Sequence, residues 1–210
     1  MIHTLIQEYS ILASCREEIT AATDAILQCY RQGGKLLLCG NGGSAADCEH
    51  IVGELMKGFR LRRPLSAERK QSMKNLCPEL DEHLLSSLQS GLPAVSLVHL
   101  SALNSAFCND VEAEYTYAQA LLALGKPQDL LLAISTSGNA KNVLAAARVA
   151  KGIGLTVISL TGASGGQLKT VSDISIRVPQ EETYKIQELH LPIYHAICAE
   201  IEATFFGKSE

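Results

Sequence analysis

Two stretches of the chain combine residue types that can do chemistry. The first is Cys39-Gly40-Asn41-Gly42-Gly43-Ser44-Ala45-Ala46-Asp47, followed by His50 and Glu54. It begins as the end of an apolar run, turns at its glycines and continues in helix-forming residues, the pattern of a buried strand, a tight turn and a helix. The amides of such a turn and of the helix start are unpaired, and glycine lets an anion come close to them. Ser44 falls where an N-cap falls. His50 and Glu54 are spaced i, i+4 on one helical face, so they can share a proton or a metal, or stand as a solvated pair. The second stretch is Ser135-Thr136-Ser137-Gly138-Asn139. Three hydroxyls and a glycine open a helix directly after an apolar strand, a neutral donor cluster suited to phosphate. An ordinary capping segment has the same look, but two such loops in one sheet favour phosphate. Neither a nucleoside-triphosphate loop nor a full dinucleotide fingerprint is present.

The elements that must hold these loops alternate between strand and helix. One long amphipathic helix is expected from Thr4 to Gln32, ended by Gly33-Gly34. Strands are expected at Lys35–Cys39, Ala94–Val98, Asp129–Ile134, Thr156–Leu160 and Ile174–Val178. Helices are expected at Glu112–Leu124, Asn139–Lys151, Gln167–Val171 and Glu182–Phe206. This alternation implies parallel crossovers and a doubly wound α/β sheet flanked by helices, with long helices at both ends. Ligands in such sheets bind beyond the carboxyl ends of the strands, where both loops lie. Residues 60–92 depart from the pattern. Arg60, Arg62, Arg63, Arg69, Lys70 and Lys74 make the first half basic, and helices are expected at Ser66–Asn75 and Glu79–Gln89. This is a basic insertion or lid within a single domain spanning 1–210.

Composition narrows the function classes. Hydrophobic residues make up 47% and charged residues 19% of 210 positions, which fits a globular domain. A net charge of −4 disfavours general nucleic-acid or anionic-membrane binding. No apolar run is long enough to span a bilayer, and no signal core follows Met1, so a cytoplasmic protein is expected. The seven cysteines are odd in number and form no Cys-x-x-Cys, which argues against a disulfide framework or a thiolate zinc site.

The combination of Cys-Gly-Asn-Gly-Gly-Ser-Ala-Ala-Asp (39–47) with His50 and Glu54, Ile-Ser-Thr-Ser-Gly-Asn (134–139), and Ile-Gln-Glu-Leu-His (186–190) with His195 resembles a sugar isomerase (SIS) domain. Within that superfamily it is similar to the phosphoheptose isomerase group, which interconverts sedoheptulose 7-phosphate and D-glycero-manno-heptose 7-phosphate. The resemblance implies that Asn41, Gly42 and Gly43 line the sugar site and that Ser44, Ser135, Thr136 and Ser137 hold the phosphate. It implies that Asn109, Asp110 and Gln187 also meet the substrate, and that Glu54 and His195 act as acid and base. By the same resemblance His50, Glu54, Gln187 and His195 match zinc ligands. Chemically, enediol isomerisation needs a base at carbon, an acid at oxygen and something to steady the developing charge. His190 is expected to be an interior residue rather than a ligand.

Three features depart from the group. Ala140 stands where many relatives place a serine, Pro192 interrupts the last helix, and 55 positions separate Glu54 from Asn109, more than usual. Substrate identity is therefore less fixed than reaction type. The alternatives are a non-catalytic SIS protein that senses a sugar phosphate or associates with a replication initiator, and an isomerase of another phosphorylated sugar. Gln187 and His195 lie eight positions apart on one helix, about 12 Å along its axis. Two ligands of one ion so far apart are most simply drawn from neighbouring subunits. A homotetramer with shared active sites is therefore expected, the tetramer being what the resemblance implies.

Overall fold

The computed structural model describes residues 1–207. Its centre is a five-stranded, wholly parallel sheet: β1 (Leu36–Cys39), β2 (Ala94–Ser96), β3 (Leu130–Ile134), β4 (Thr156–Thr161) and β5 (Ile174–Arg177). The spatial order is β2-β1-β3-β4-β5. Leu37 is in register with Val95 on one side and Leu131 on the other. The chain leaves β1 towards β2 and later returns to β3 on the opposite side. The crevice between the carboxyl ends of β1 and β3 is thus the switch point where such sheets bind ligands.

Side chains on a strand alternate between faces, and here both faces are buried. Leu36, Leu38, Leu132, Ile158 and Ile176 join one apolar core, whereas Leu37, Cys39, Leu131, Ala133 and Val157 join the other. Leu37 and Leu131 have no exposed surface, so truncating either to alanine costs about 2–5 kcal/mol.

The first core is covered by α1 (Ile2–Glu8), a 3-10 turn (Ser10–Cys15), α2 (Arg16–Arg31), α3 (Gly43–Met56) and the last helix. The expected single helix from Thr4 to Gln32 is therefore interrupted. Tyr9 leaves the helical region at φ −121° and ψ 71°, and the tighter turn after it buries Leu12 and Cys15 beside Ile19.

Between α3 and β2 lie α4 (Ala67–Leu76) and α5 (Glu82–Ser87). Ser66 caps α4 by accepting from the Arg69 amide, and Asp81 caps α5 by accepting from the Leu84 amide. The second of these helices is shorter than the expected Glu79–Gln89. Much of the basic character is neutralised locally: Lys70 and Lys74 both reach Glu82, at 3.2 and 3.0 Å. Helix α4 buries none of its residues, whereas Leu85 of α5 is completely buried.

After β2 the chain forms α6 (Ser101–Asp110), which periodicity did not reveal, and then a 3-10 turn (Ala113–Tyr115) leading into α7 (Thr116–Leu124). Helices α8 (Lys141–Gly152) and α9 (Leu168–Val171) follow β3 and β4 and complete the second core with α7. The last helix, α10 (Thr183–Phe206), runs unbroken through Pro192. It packs against α3 on the first face, burying Ile186, Ile193, Tyr194 and Ile197. Among the described residues no helix is long and apolar enough to cross a membrane.

Candidate active site

The loops after β1 and β3 enclose a cavity of about 360 Å³ at the switch point. Its wall includes Asn41, Gly42, Gly43, Ser44, Ser135, Thr136, Ser137 and Gln187, with no charged side chain. Among the described residues, the amides of Gly42, Gly43, Thr136 and Ser137 have no backbone acceptor. Unpaired N–H groups beside a helix start form an anion cradle built from neutral donors. Gly43 lies close against Gln187, whose side-chain amide would have to move aside for a Cβ there. Asn41 is held from outside the cavity. Its amide exchanges hydrogen bonds with that of Asn142, at 2.8 and 2.9 Å, and its Oδ1 also accepts from the Tyr117 hydroxyl at 3.2 Å.

Further along α3 and α10 a second cluster forms. Its centre is His50, whose Nε2 lies 3.3 Å from Glu54 Oε1 and 3.5 Å from His195 Nε2. The other nitrogen of His50 faces the Tyr194 hydroxyl at 3.0 Å, and that hydroxyl donates to Asp47 Oδ1 at 3.2 Å. Tyrosine has one proton to give. If it goes to Asp47, His50 Nδ1–H donates to the tyrosine oxygen, and the Nε2 lone pair is aimed at Glu54 and His195. Burial lowers the pKa of His195, and neighbouring His50 lowers it further, against a smaller opposing pull from Glu54. His195 is therefore a neutral imidazole near pH 7 that can accept a proton. Burial raises the Asp47 pKa from its ordinary value, partly offset by the hydrogen bond from Tyr194 and by His50. Glu54 is mostly buried, and its Oε2 has no hydrogen-bond partner.

This donor set bears on metal binding. Two ligands of a tetrahedral zinc bound at about 2.0–2.1 Å stand roughly 3.3 Å apart, the spacing His50 Nε2 makes with Glu54 and approaches with His195. A hydrogen-bonded second ring nitrogen, as on His50, is what a metal-ligating imidazole requires. In type, and in the two spacings made by His50, the residues suit a divalent ion. The shell is not closed, because among the described residues no three His, Cys, Asp or Glu side chains are grouped as a metal site.

A SIS domain model matches residues 7–78 and 84–162. A phosphoheptose isomerase of Roseiflexus sp. strain RS-1 is 37% identical over 190 residues, 90% of this chain and 83% of the relative. The chain belongs to the phosphoheptose isomerase family of SIS-domain proteins. Solved structures agree. Phosphoheptose isomerase from Francisella tularensis superposes with a TM-score of 0.75 at 32% identity, covering 95% of this chain and 93% of that one. The enzyme from Neisseria gonorrhoeae gives 0.73 at 32% identity, covering 96% and 93%.

The fold thus gathers the family's motif residues into two neighbouring groups. Asn41, Gly42, Gly43, Ser44, Ser135, Thr136, Ser137 and Gln187 line the cavity between the loops, and His50, Glu54 and His195 form a second cluster of titratable side chains. Gln187 turns to Gly43 and His195 to His50, so the two residues of α10 do not converge on one point. That much follows from their separation along the helix. Within one chain, α3 and α10 already bring both Glu54 and His195 to His50. Asn109 and Asp110 stand apart. They are exposed at the end of α6, bond to each other at 2.8 Å and do not line the anion cavity. Two residues at the site carried no sequence signal of their own: Asp47, inside the glycine-loop motif, and Tyr194, beside His195.

Proposed function

We propose that the chain interconverts sedoheptulose 7-phosphate and D-glycero-manno-heptose 7-phosphate, as an aldose–ketose isomerase working through an enediol. The observation that carries this reading is the placement of an anion cavity and an acid–base cluster on the same two helices. Gln187 at the cavity and His195 at the cluster are about 12 Å apart along α10. A phosphate held by the loop amides and by Ser44, Ser135, Thr136 and Ser137 leaves the far end of an extended seven-carbon sugar at Glu54 and His195.

The Glu54 carboxylate takes a proton from C1 of the ketose and, after exchange with solvent, delivers one to C2. Neutral His195 accepts the O1 proton and delivers one to O2, so its own protonation is restored at the end of the turnover. Asn41 and Gln187 orient the sugar between the two groups, and Asn109 and Asp110 meet it from a neighbouring subunit. His50, Glu54 and His195, with a Gln187 supplied by a neighbouring subunit, would hold zinc, which when bound would polarise the carbonyl. Tyr194 and Asp47 keep the His50 ring turned towards the cluster.

The chain works as one SIS domain with 60–92 as an excursion from it, in the cytoplasm, as a homotetramer, without nucleic acid. Exposed apolar side chains on the excursion and around α6 and α7, among them Leu76, Val111, Tyr115 and Leu122, support assembly. Incubating purified protein with a panel of ketose and aldose phosphates, followed by NMR, tests the reading. Selective conversion of the seven-carbon ketose is expected. Conversion of a different sugar only would reassign the substrate, and no conversion at all would favour a binding protein.

A further inference from the structure

The segment that leaves α3, Gly58 to Arg63, is fastened by one buried ion pair. Arg63 Nε donates to Glu202 Oε1 at 2.8 Å, and the two side chains are 0% and 1% exposed. Glu202 also accepts the backbone amides of Phe59, Arg60 and Leu61, at 2.8, 2.7 and 3.0 Å. The rest of the guanidinium turns to α3. Nη1 donates to the Leu55 carbonyl at 2.7 Å and Nη2 to the Glu54 carbonyl at 3.1 Å. Those carbonyls belong to the last turn of α3, where helical partners run out. Its carbon lies 4.6 Å from the centre of the Phe206 ring. Burial pushes the Glu202 pKa up, but the amides of Phe59 and Arg60 and the Arg63 guanidinium outweigh it, so the group sits below the ordinary value. In the sequence Arg63 is one of a basic run; in the fold it is among the most buried polar residues of the chain.

We infer that Arg63 and Glu202 are a positioning pair that fixes the backbone of Glu54 and seats Phe59 against His195. The inference rests on the proposed roles of Glu54 and His195. Two contacts carry it. One is the Arg63 bond to the carbonyl of Glu54 itself. The other is Phe59, whose amide is held by Glu202 and whose ring centroid is 5.4 Å from that of His195. The pair therefore grips both sides of the acid–base cluster from behind, touching neither reacting group. A buried ion pair is a poor device for stability alone, because apolar residues of similar volume often do as well. Its strength is directional: five N–H donors and one carboxylate define where a short segment must lie.

The test uses two conservative variants of the full-length protein, Glu202→Gln and Arg63→Lys, with kcat and KM measured on sedoheptulose 7-phosphate and amide hydrogen exchange measured by mass spectrometry. The expected result is a 10- to 100-fold fall in kcat with KM within twofold of wild type. Faster exchange is expected at 54–61 with unchanged exchange at the 135–138 loop. If one variant does not fold, the other decides. Unchanged kcat in a folded variant, or kcat lost only together with uniformly faster exchange, overturns the inference. Should the wild type fail to convert the sugar, the functional reading falls separately. Exchange then decides: selective loosening of 54–61 supports the clamp and unchanged protection there refutes it.

Discussion

His195 Nε2 lies 3.5 Å from His50 Nε2, although 145 positions separate them in the chain. The contact exists because α3 and α10 cover the same face of the sheet and pack together along their length. Glu54, one turn beyond His50, is carried into the same cluster. A mixture of Glu54→Gln and His195→Ala subunits is therefore expected to stay inactive after exchange, since no chain in it holds both groups. Recovery of activity in verified hybrids would show that the working pair is drawn from two chains.

Tyr194 is expected to act through His50. Tyr194→Phe removes the hydroxyl that faces Nδ1 and frees the ring to change tautomer or rotate. A loss of about 10- to 100-fold in kcat is expected, by analogy with orienting groups around ligand histidines. KM should stay near its original value, since the anion cavity is untouched. A variant with full kcat would mean that His50 needs no orientation.

The phosphate loops make a separate prediction. Ser135→Ala with Ser137→Ala should weaken sugar-phosphate binding, each lost charge-assisted hydrogen bond costing about 1.5–3 kcal/mol. Calorimetry on the double variant checks this. Unchanged affinity would place the phosphate elsewhere than between the two loops.

These loops were readable in the sequence because their signals are local. Glycines, hydroxyls and a following helix sit within a few residues of each other, and β1 and β3 announce themselves as short apolar runs. The Arg63–Glu202 pair was not readable. Its members lie 139 positions apart, and nothing local to Arg63 distinguishes it from the exposed arginines around it. Helix α6 escaped for a related reason: it buries no residue, so Ser101–Asp110 shows no clear apolar stripe. The break at Tyr9 is set by packing of Leu12 and Cys15, which overrides good helical periodicity. Asn109 and Asp110 were reached only through resemblance, and one chain does not bring them to the cavity.

His190 makes stability depend on pH. It is fully buried on α10, and neither ring nitrogen has a well-formed hydrogen bond. Burial lowers its pKa from 6.5 to about 4, against a weaker pull from the Thr161 backbone. The unfolded chain therefore binds a proton at a higher pH than the folded one. The neutral ring's contribution is fully present above pH 6.5 and is lost as pH falls towards 4. At about 1.4 kcal/mol per unit the whole shift is worth about 3 kcal/mol. Urea unfolding of His190→Leu should show a shallower loss of stability than wild type across that window. Parallel curves would mean that another group titrates there.

The central claim is that Glu54 moves a carbon-bound proton through an enediol, and one labelling measurement tests it directly. Wild type and Glu54→Gln are incubated with sedoheptulose 7-phosphate in D2O, and the sugar pool is followed by NMR as it approaches equilibrium. The account predicts that wild type forms the aldose and introduces deuterium at C1 and C2. It predicts that folded Glu54→Gln is slower by at least about 100-fold in both, within the range that a positioned acid or base contributes. Aldose formation without any deuterium in the pool, or near-normal labelling by Glu54→Gln, would contradict it.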